Sequence, residues 1–141
     1  MSLVIAIYGG AGTMRQADIT PDMIADRHEG LRRALRAGWD ILSKDGTALD
    51  AVTAAVMRLE DDPLFNAARG AVLTDAGTME MDAAIMDGAS RAAGAVAGIC
   101  GPRHPILAAR AVMETTPHVL MIGDGALNVA REAGLAFEPA S

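Results

Sequence analysis

Residues 3–8, "LVIAIY", form a short apolar run, β-branched at Val4, Ile5 and Ile7, which ends in Gly9, Gly10 and Gly12. This junction constrains the fold more than any other stretch: a buried strand runs straight into bare backbone. A dinucleotide fold needs G-x-G-x-x-G with a helix opening from it, so that helix N–H groups face the pyrophosphate. Gly10-Ala11-Gly12 supplies the first two glycines, but Arg15 stands at the third and helix signals begin only at Thr20. No G-x-x-x-x-G-K-[ST] stretch occurs either. A nucleotide-binding module is therefore the remote alternative. Two readings remain: a tight exit from a strand, or bare backbone lying against a reacting centre.

The rest of the chain alternates helices and strands. Thr20 with Pro21 and Asp22 predicts a helix start, and the apolar spacing of Ile24, Leu31, Leu35 and Leu42 carries that helix to about Lys44. Thr47 and Asp50 stand at capping-box spacing and open a second helix that runs to about Asp61, before Pro63. Residues 71–74, 79–86 and 93–99 read as strands joined by turns at 75–78 and 87–88. "HPILAARAVMETT" reads as a helix with Pro105 at its start, and 119–123 as a last strand. "DGALNVAREAG" is a short helix that Gly134 caps, and "FEPAS" begins a loose segment.

Composition limits function. The chain is 51% hydrophobic but only 3% aromatic, so small side chains build the core of its one domain. Its net charge is −6 with no cluster of lysine or arginine, which argues against nucleic acid. No apolar run approaches the roughly 20 residues that span a bilayer. Met1 leads into a strand pattern rather than a signal peptide, and Cys100 has no second cysteine to pair with, so a cytoplasmic protein is expected.

Several isolated motifs are weak. Cys100 with His104 evokes a thiol and its base, yet a lone cysteine is more often a small core residue. His28, His104 and His118 lack metal-ligand spacing. Glu80 and Asp82 lie on one face of a strand, where a solvated face is the simpler account than glycoside hydrolysis. "LEDDPLFNAARG", 59–70, is more suggestive. It leaves a helix C-terminus, whose carbonyls are unpaired, and must curl through Pro63, Asn66 and Gly70. Inward carbonyls in such a loop suit a hard cation, while an ordinary wrapped loop with Leu64 and Phe65 tucked inward is the simpler alternative.

Six stretches in order, "IYGGAG", "PLFNAARGAVL", "MEMDAAIMDG", "AGAVAGI", "HPILAARAVME" and "PHVLMIGDGA", resemble the N-terminal part of plant-type L-asparaginases, also called isoaspartyl or β-aspartyl peptidases. The resemblance runs from about Val4 to Gly134. It implies an α/β fold, the four-layer αββα sandwich of N-terminal-nucleophile hydrolases. It also implies a precursor that cuts itself before a threonine; the new N-terminal threonine is the nucleophile and its free amine the base. The implied activity is hydrolysis of L-asparagine and of isoaspartyl dipeptides by a dimer of αβ units. Residues 1–141 match the α part of the single domain, so the nucleophile is expected on a separate β chain and this chain alone is expected to be inactive. The Gly-Thr pairs at 12–13, 46–47 and 77–78 stand in other contexts.

By the same resemblance, main-chain oxygens of Leu59, Glu60, Asp62, Phe65, Ala67 and Arg69 bind a structural sodium, with no organic cofactor. Asn66 sits beside the nucleophile, and Gly9 and Gly10 support the site as bare backbone. A second alkali-metal loop in some relatives would fall at 112–118. Two departures stand out. Tyr8 replaces the usual histidine, and Ala68-Arg69 replaces glycine and its neighbour in N-A-G-x-G. A non-catalytic or altered-specificity relative on the same scaffold is the alternative they raise. An alanine that takes positive φ at 68 costs on the order of 1 kcal/mol or more.

Overall fold

A computed structural model describes residues 2–10 and 16–138. Helix α1, Pro21–Leu42, starts at Thr20, whose hydroxyl accepts the Met23 N–H at 3.2 Å, with Pro21 in the first turn where no donor is needed. It ends two residues before the expected Lys44. Asp45 then takes φ 60°, and the Gly46 N–H bonds back to the Ile41 carbonyl. Helix α2, Ala48–Asp61, is capped by Thr47, which accepts the Asp50 N–H at 3.0 Å. The Asp50 carboxylate accepts a hydrogen bond from the Thr47 hydroxyl at 2.7 Å rather than reaching the backbone, as a longer glutamate would. Gly30, Ala34, Gly38 and Leu42 form the buried stripe of α1. Gly38 lies against Ala51 and Ala55 of α2, and Gly30 against Asp62, so the two helices run antiparallel at close range.

The sheet has three strands, β1 (Met81–Met86), β2 (Ala93–Ile99) and β3 (Leu120–Ile122), in the order β1-β2-β3. β1 and β2 are antiparallel; β2 and β3 are parallel, joined through α3 (Pro105–Thr115). Asp87 shapes the hairpin turn by accepting the Ala89 and Ser90 N–H groups. A bulge shifts the register between Met81, opposite Ile99, and Ala83, opposite Val96. Its spare N–H, on Gly98, bonds to Asp82 Oδ1 at 2.8 Å. Helix α4, Gly123–Glu132, closes with Gly134 at φ 69° and bonds from Leu135 N to Ala130 O and from Gly134 N to Arg131 O. These are the paired bonds of a Schellman cap.

The helices α3 and α4 cover one face of the sheet. Val96, Ile99, Ile106, Val112, Ala126 and Ala130 are buried between them. A Cβ at Gly94 would lie 2.2 Å from the Ala109 carbonyl, so α3 rests directly on the β2 backbone. The other face is apolar apart from Asp82 and is uncovered among the described residues. Met86 opposes Ala93, Ala95 opposes Leu120 and Ala97 opposes Ile122, with Leu120 and Ile122 56% and 66% exposed.

Three expected features differ. Residues 3–8 are extended but join no ladder among the described residues. Ile5 and Ile7 turn toward the helices while Val4 and Tyr8 point outward, 81% and 79% exposed, because no neighbouring strand lies beside them. Residues 71–74 also form no strand; the Thr74 N–H bonds to Thr78 O, but pairing stops there and β1 begins at 81 rather than 79. The tail is not loose at Phe137 and Glu138. Arg103 N bonds to Ala136 O and Glu138 N to Gly101 O, and Arg131 stacks 5.5 Å over the Phe137 ring. Gly12, Arg15 and the Pro139 end of the tail lie outside the described residues. No helix among the described residues is long and apolar enough to cross a membrane.

Candidate active-site and cation loop

Residues 59–71 leave α2 in a tight coil. Asp62 Oδ1 accepts the Leu64 N–H at 3.1 Å and the Asp62 carbonyl accepts that of Phe65, whose ring is buried. The Phe65 carbonyl then accepts the Ala67 N–H, and the Ala67 carbonyl that of Gly70. Leu59, at the helix end, accepts from Asp62 N at 3.3 Å. Each of these four carbonyls keeps a second lone pair for another partner. A Cβ at Gly70 would lie 2.0 Å from the Phe65 oxygen and 2.8 Å from that of Pro63, so only glycine lets the coil turn this tightly. Ala68 is buried at φ 43°, the left-handed conformation its departure from glycine foreshadows.

Asn66 is exposed on the rim of this coil, and its Oδ1 accepts the Val72 N–H at 3.0 Å. That bond fixes the amide, because the donor N–H demands an oxygen and leaves the NH2 group free to face a partner. Gly9 packs against the Phe65 ring and Leu31, where a Cβ would come within 3.0 Å and 2.9 Å of them. The N-terminal segment therefore meets the coil one residue before Asn66. Gly10 follows at φ 126°, exposed. Arg69 lines a cleft of about 710 Å³ with Met79, Met81, Cys100 and Phe137, and Asn66 is not among its lining residues.

The acids that begin the loop reach α1 and the start of α3. Asp62 binds Arg33 of α1 at 2.8 Å, and Asp61 binds Arg103 at 2.9 Å. Glu60, 4% exposed, sends its carboxyl into the protein, where Oε1 accepts the Ile106 N–H at 2.9 Å and Oε2 lies 3.2 Å from His104 Nδ1. Burial pushes the Glu60 carboxyl up to about 7, against the opposing pull of the Ile106 N–H. Burial also holds the His104 imidazole below its ordinary value, and Asp61 pulls against that. Asp61 itself is lowered; desolvation opposes the shift, and the Arg103 hydrogen bond with the charges of His104 and Arg103 outweighs it. Among the described residues, no three His, Cys, Asp or Glu side chains gather as a metal site. A cation in this coil would take main-chain oxygens.

The weak motifs resolve locally. His104 pairs with Glu60 and Asp61, while Cys100 is exposed. Glu80 Oε1 accepts the Thr78 hydroxyl and Asp82 holds the β-bulge. The Glu60 contact with α3 escapes a reading of the sequence. Its one signal is that His104 gives α3 no side-chain cap, so the helix start needs an acceptor from elsewhere.

A sequence model of the asparaginase family matches residues 1–141. The plant-type L-asparaginase of Thermococcus kodakarensis is 55% identical over 130 residues, covering 92% of this chain and 41% of that protein. The plant-type L-asparaginase of Pyrococcus furiosus is 54% identical over 132 residues, 94% of this chain and 42% of its own length. The isoaspartyl peptidase of Salmonella typhimurium is 50% identical over 133 residues, again 94% and 42%. The chain thus spans about two-fifths of the length of the curated relatives it matches. On the family match across residues 1–141 and on these identities, the chain belongs to the asparaginase family of plant-type L-asparaginases and isoaspartyl peptidases.

Proposed function

We propose that this chain is the α part of a self-processed threonine amidohydrolase that hydrolyses L-asparagine and isoaspartyl dipeptides. The observation that carries the proposal is identity of 50–55% over nearly the whole chain to proteins named for those two activities. The nucleophilic threonine belongs to the part of the relatives' length that this chain does not span. It becomes the N-terminus of a β chain, and its free amine takes the hydroxyl proton as it attacks the substrate amide.

The uncovered sheet face supports this assembly. A sheet with helices on one side and Ala93, Ala95, Leu120 and Ile122 on the other needs a second layer. The β chain supplies it, completing the four-layer sandwich, and two αβ units form the working dimer in the cytoplasm. The extended segment 3–8, with Val4 and Tyr8 outward, gains its neighbouring strands from the same source. Within the site, Gly9 and Gly10 let the threonine approach bare backbone. Asn66, its oxygen held by Val72, turns its amide donors to the nucleophile or to a water.

The coil at 59–69 holds a sodium through main-chain oxygens of Leu59, Glu60, Asp62, Phe65, Ala67 and Arg69. The carbonyls of Leu59, Asp62, Phe65 and Ala67 each keep a lone pair that a hard cation can take. The α2 C-terminus adds partial negative charge at the start of the coil, which a cation offsets. When bound, the ion is structural: it fixes the loop that presents Asn66.

A second reading, a non-catalytic relative on the same scaffold, is favoured by strain at Ala68 and by Tyr8. Purification of the complete gene product tests both. A second polypeptide with N-terminal threonine, releasing ammonia from asparagine or aspartate from an isoaspartyl dipeptide, supports the amidohydrolase. An uncleaved, inert product supports the non-catalytic relative.

A further inference from the structure

Glu60 does something that its proposed main-chain contact with sodium does not require. It lies in the last turn of α2, where a carboxylate is unfavourable to the helix dipole, yet it is among the most buried charged residues described. Its side chain crosses to α3 and supplies the acceptor missing there. Helix α3 begins His104-Pro105-Ile106; His104 makes no cap of its own, and the Ile106 N–H is met by Glu60 Oε1 at 2.9 Å. The other oxygen engages His104 Nδ1. Helix α3 in turn rests on the β2 backbone through Gly94. A chain of direct contacts therefore runs from the sheet through α3 to the peptide unit of Glu60, where the coil starts.

We infer that Glu60 is a positioning residue for the cation loop: its buried carboxyl ties the loop's first turn to the start of α3 and so fixes the direction of the carbonyls that follow. Asp61 with Arg103 braces the next residue at the same start of α3, and Asp62 with Arg33 braces the one after from α1. Those pairs are partly exposed and contribute little alone, whereas the Glu60 side chain is 4% exposed. The inference rests on the proposed sodium site. It adds that the loop is preorganised by a side chain that never touches the ion.

The test uses the complete processed protein in sodium chloride and in tetramethylammonium chloride at equal ionic strength. The melting temperature gives a sodium increment, and titration gives a half-saturating sodium concentration. Glu60→Ala should lose most of the increment and raise that concentration about tenfold or more. Glu60→Gln, which keeps an oxygen for Ile106 and a donor for His104, should restore it. Thr47→Ala removes the α2 cap at the far end and should lower the melting temperature equally in both salts, as general destabilisation does. If Glu60→Ala does not fold, Glu60→Asp, one methylene short, should show the same loss of increment. An increment unchanged in Glu60→Ala or Glu60→Asp, or lost equally in Thr47→Ala, overturns the positioning role alone. A wild type indifferent to sodium overturns the sodium site and this inference with it.

Discussion

Asp82 holds the β-bulge of the neighbouring strand: its Oδ1 accepts the Gly98 N–H at 2.8 Å, at the point where the register between β1 and β2 slips by one residue. The carboxylate satisfies the donor that the bulge leaves out of the ladder. Asp82→Ala is expected to lower stability by about 1–2 kcal/mol, while Asp82→Asn, which retains an oxygen, loses less than half of that. Denaturant unfolding of the processed protein measures both, and equal losses would show that the bulge does not need the acceptor.

Asp50 gives the α2 cap a pH dependence. Its carboxyl is held below the ordinary carboxylate range, first by the Thr47 hydroxyl and then by Arg110. The unfolded chain therefore binds the proton more readily than the folded one. The contribution is fully present above about pH 4–5 and is lost as pH falls through the lower folded value. The melting temperature of Asp50→Asn should consequently approach that of the wild type as pH drops from 5 toward 2.5. A gap that stays constant would remove Asp50 from the acid response.

Ala68 sits at φ 43° in the core. Glycine there would relieve about 1–2 kcal/mol of left-handed strain. It would lose about 0.8 kcal/mol of buried methyl and roughly 0.5–1 kcal/mol of chain entropy. These nearly cancel, so Ala68→Gly should change stability by less than about 1 kcal/mol. Ala68→Val adds a β-branch to the same left-handed conformation, and should destabilise by about 2 kcal/mol or more. Paired unfolding curves decide whether position 68 is limited by backbone or by packing.

Asn66 separates structure from chemistry. Asn66→Asp keeps an oxygen for Val72 N but loses the amide donors. In the processed enzyme it should unfold at nearly the wild-type temperature yet turn over on the order of 100-fold more slowly. Asn66→Ala should lose both, with turnover falling more than stability. Full activity in either variant would place Asn66 outside the site.

What is legible in the chain follows the range of the contacts. Thr20-Pro21 and Thr47 announce their helices because each cap closes within three residues. Gly134 announces the end of α4 for the same reason. The coil at 59–69 is readable as a coil, and the positive φ at Ala68 is foreseeable only through the resemblance, which puts glycine at that position. Residues 3–8 and 71–74 have strand composition but no ladder, since composition reports a residue's fitness for a sheet and not the presence of its neighbour. The Glu60 cap on Ile106 spans 46 residues, and no local pattern encodes it.

The bare face of the sheet also bears on the order of events. Leu120, Ile122, Val4 and Tyr8 would be sticky surface on a newly made chain without its counterpart. In the proposed precursor the covering half would be present at an effective concentration in the millimolar range, and docking would outrun encounters with other molecules. Covering would then precede cutting. A scission that waits for the two halves to close cannot release a half that is still exposed, so in such a precursor the peptide bond before the threonine serves as a folding chaperone until the moment it is broken.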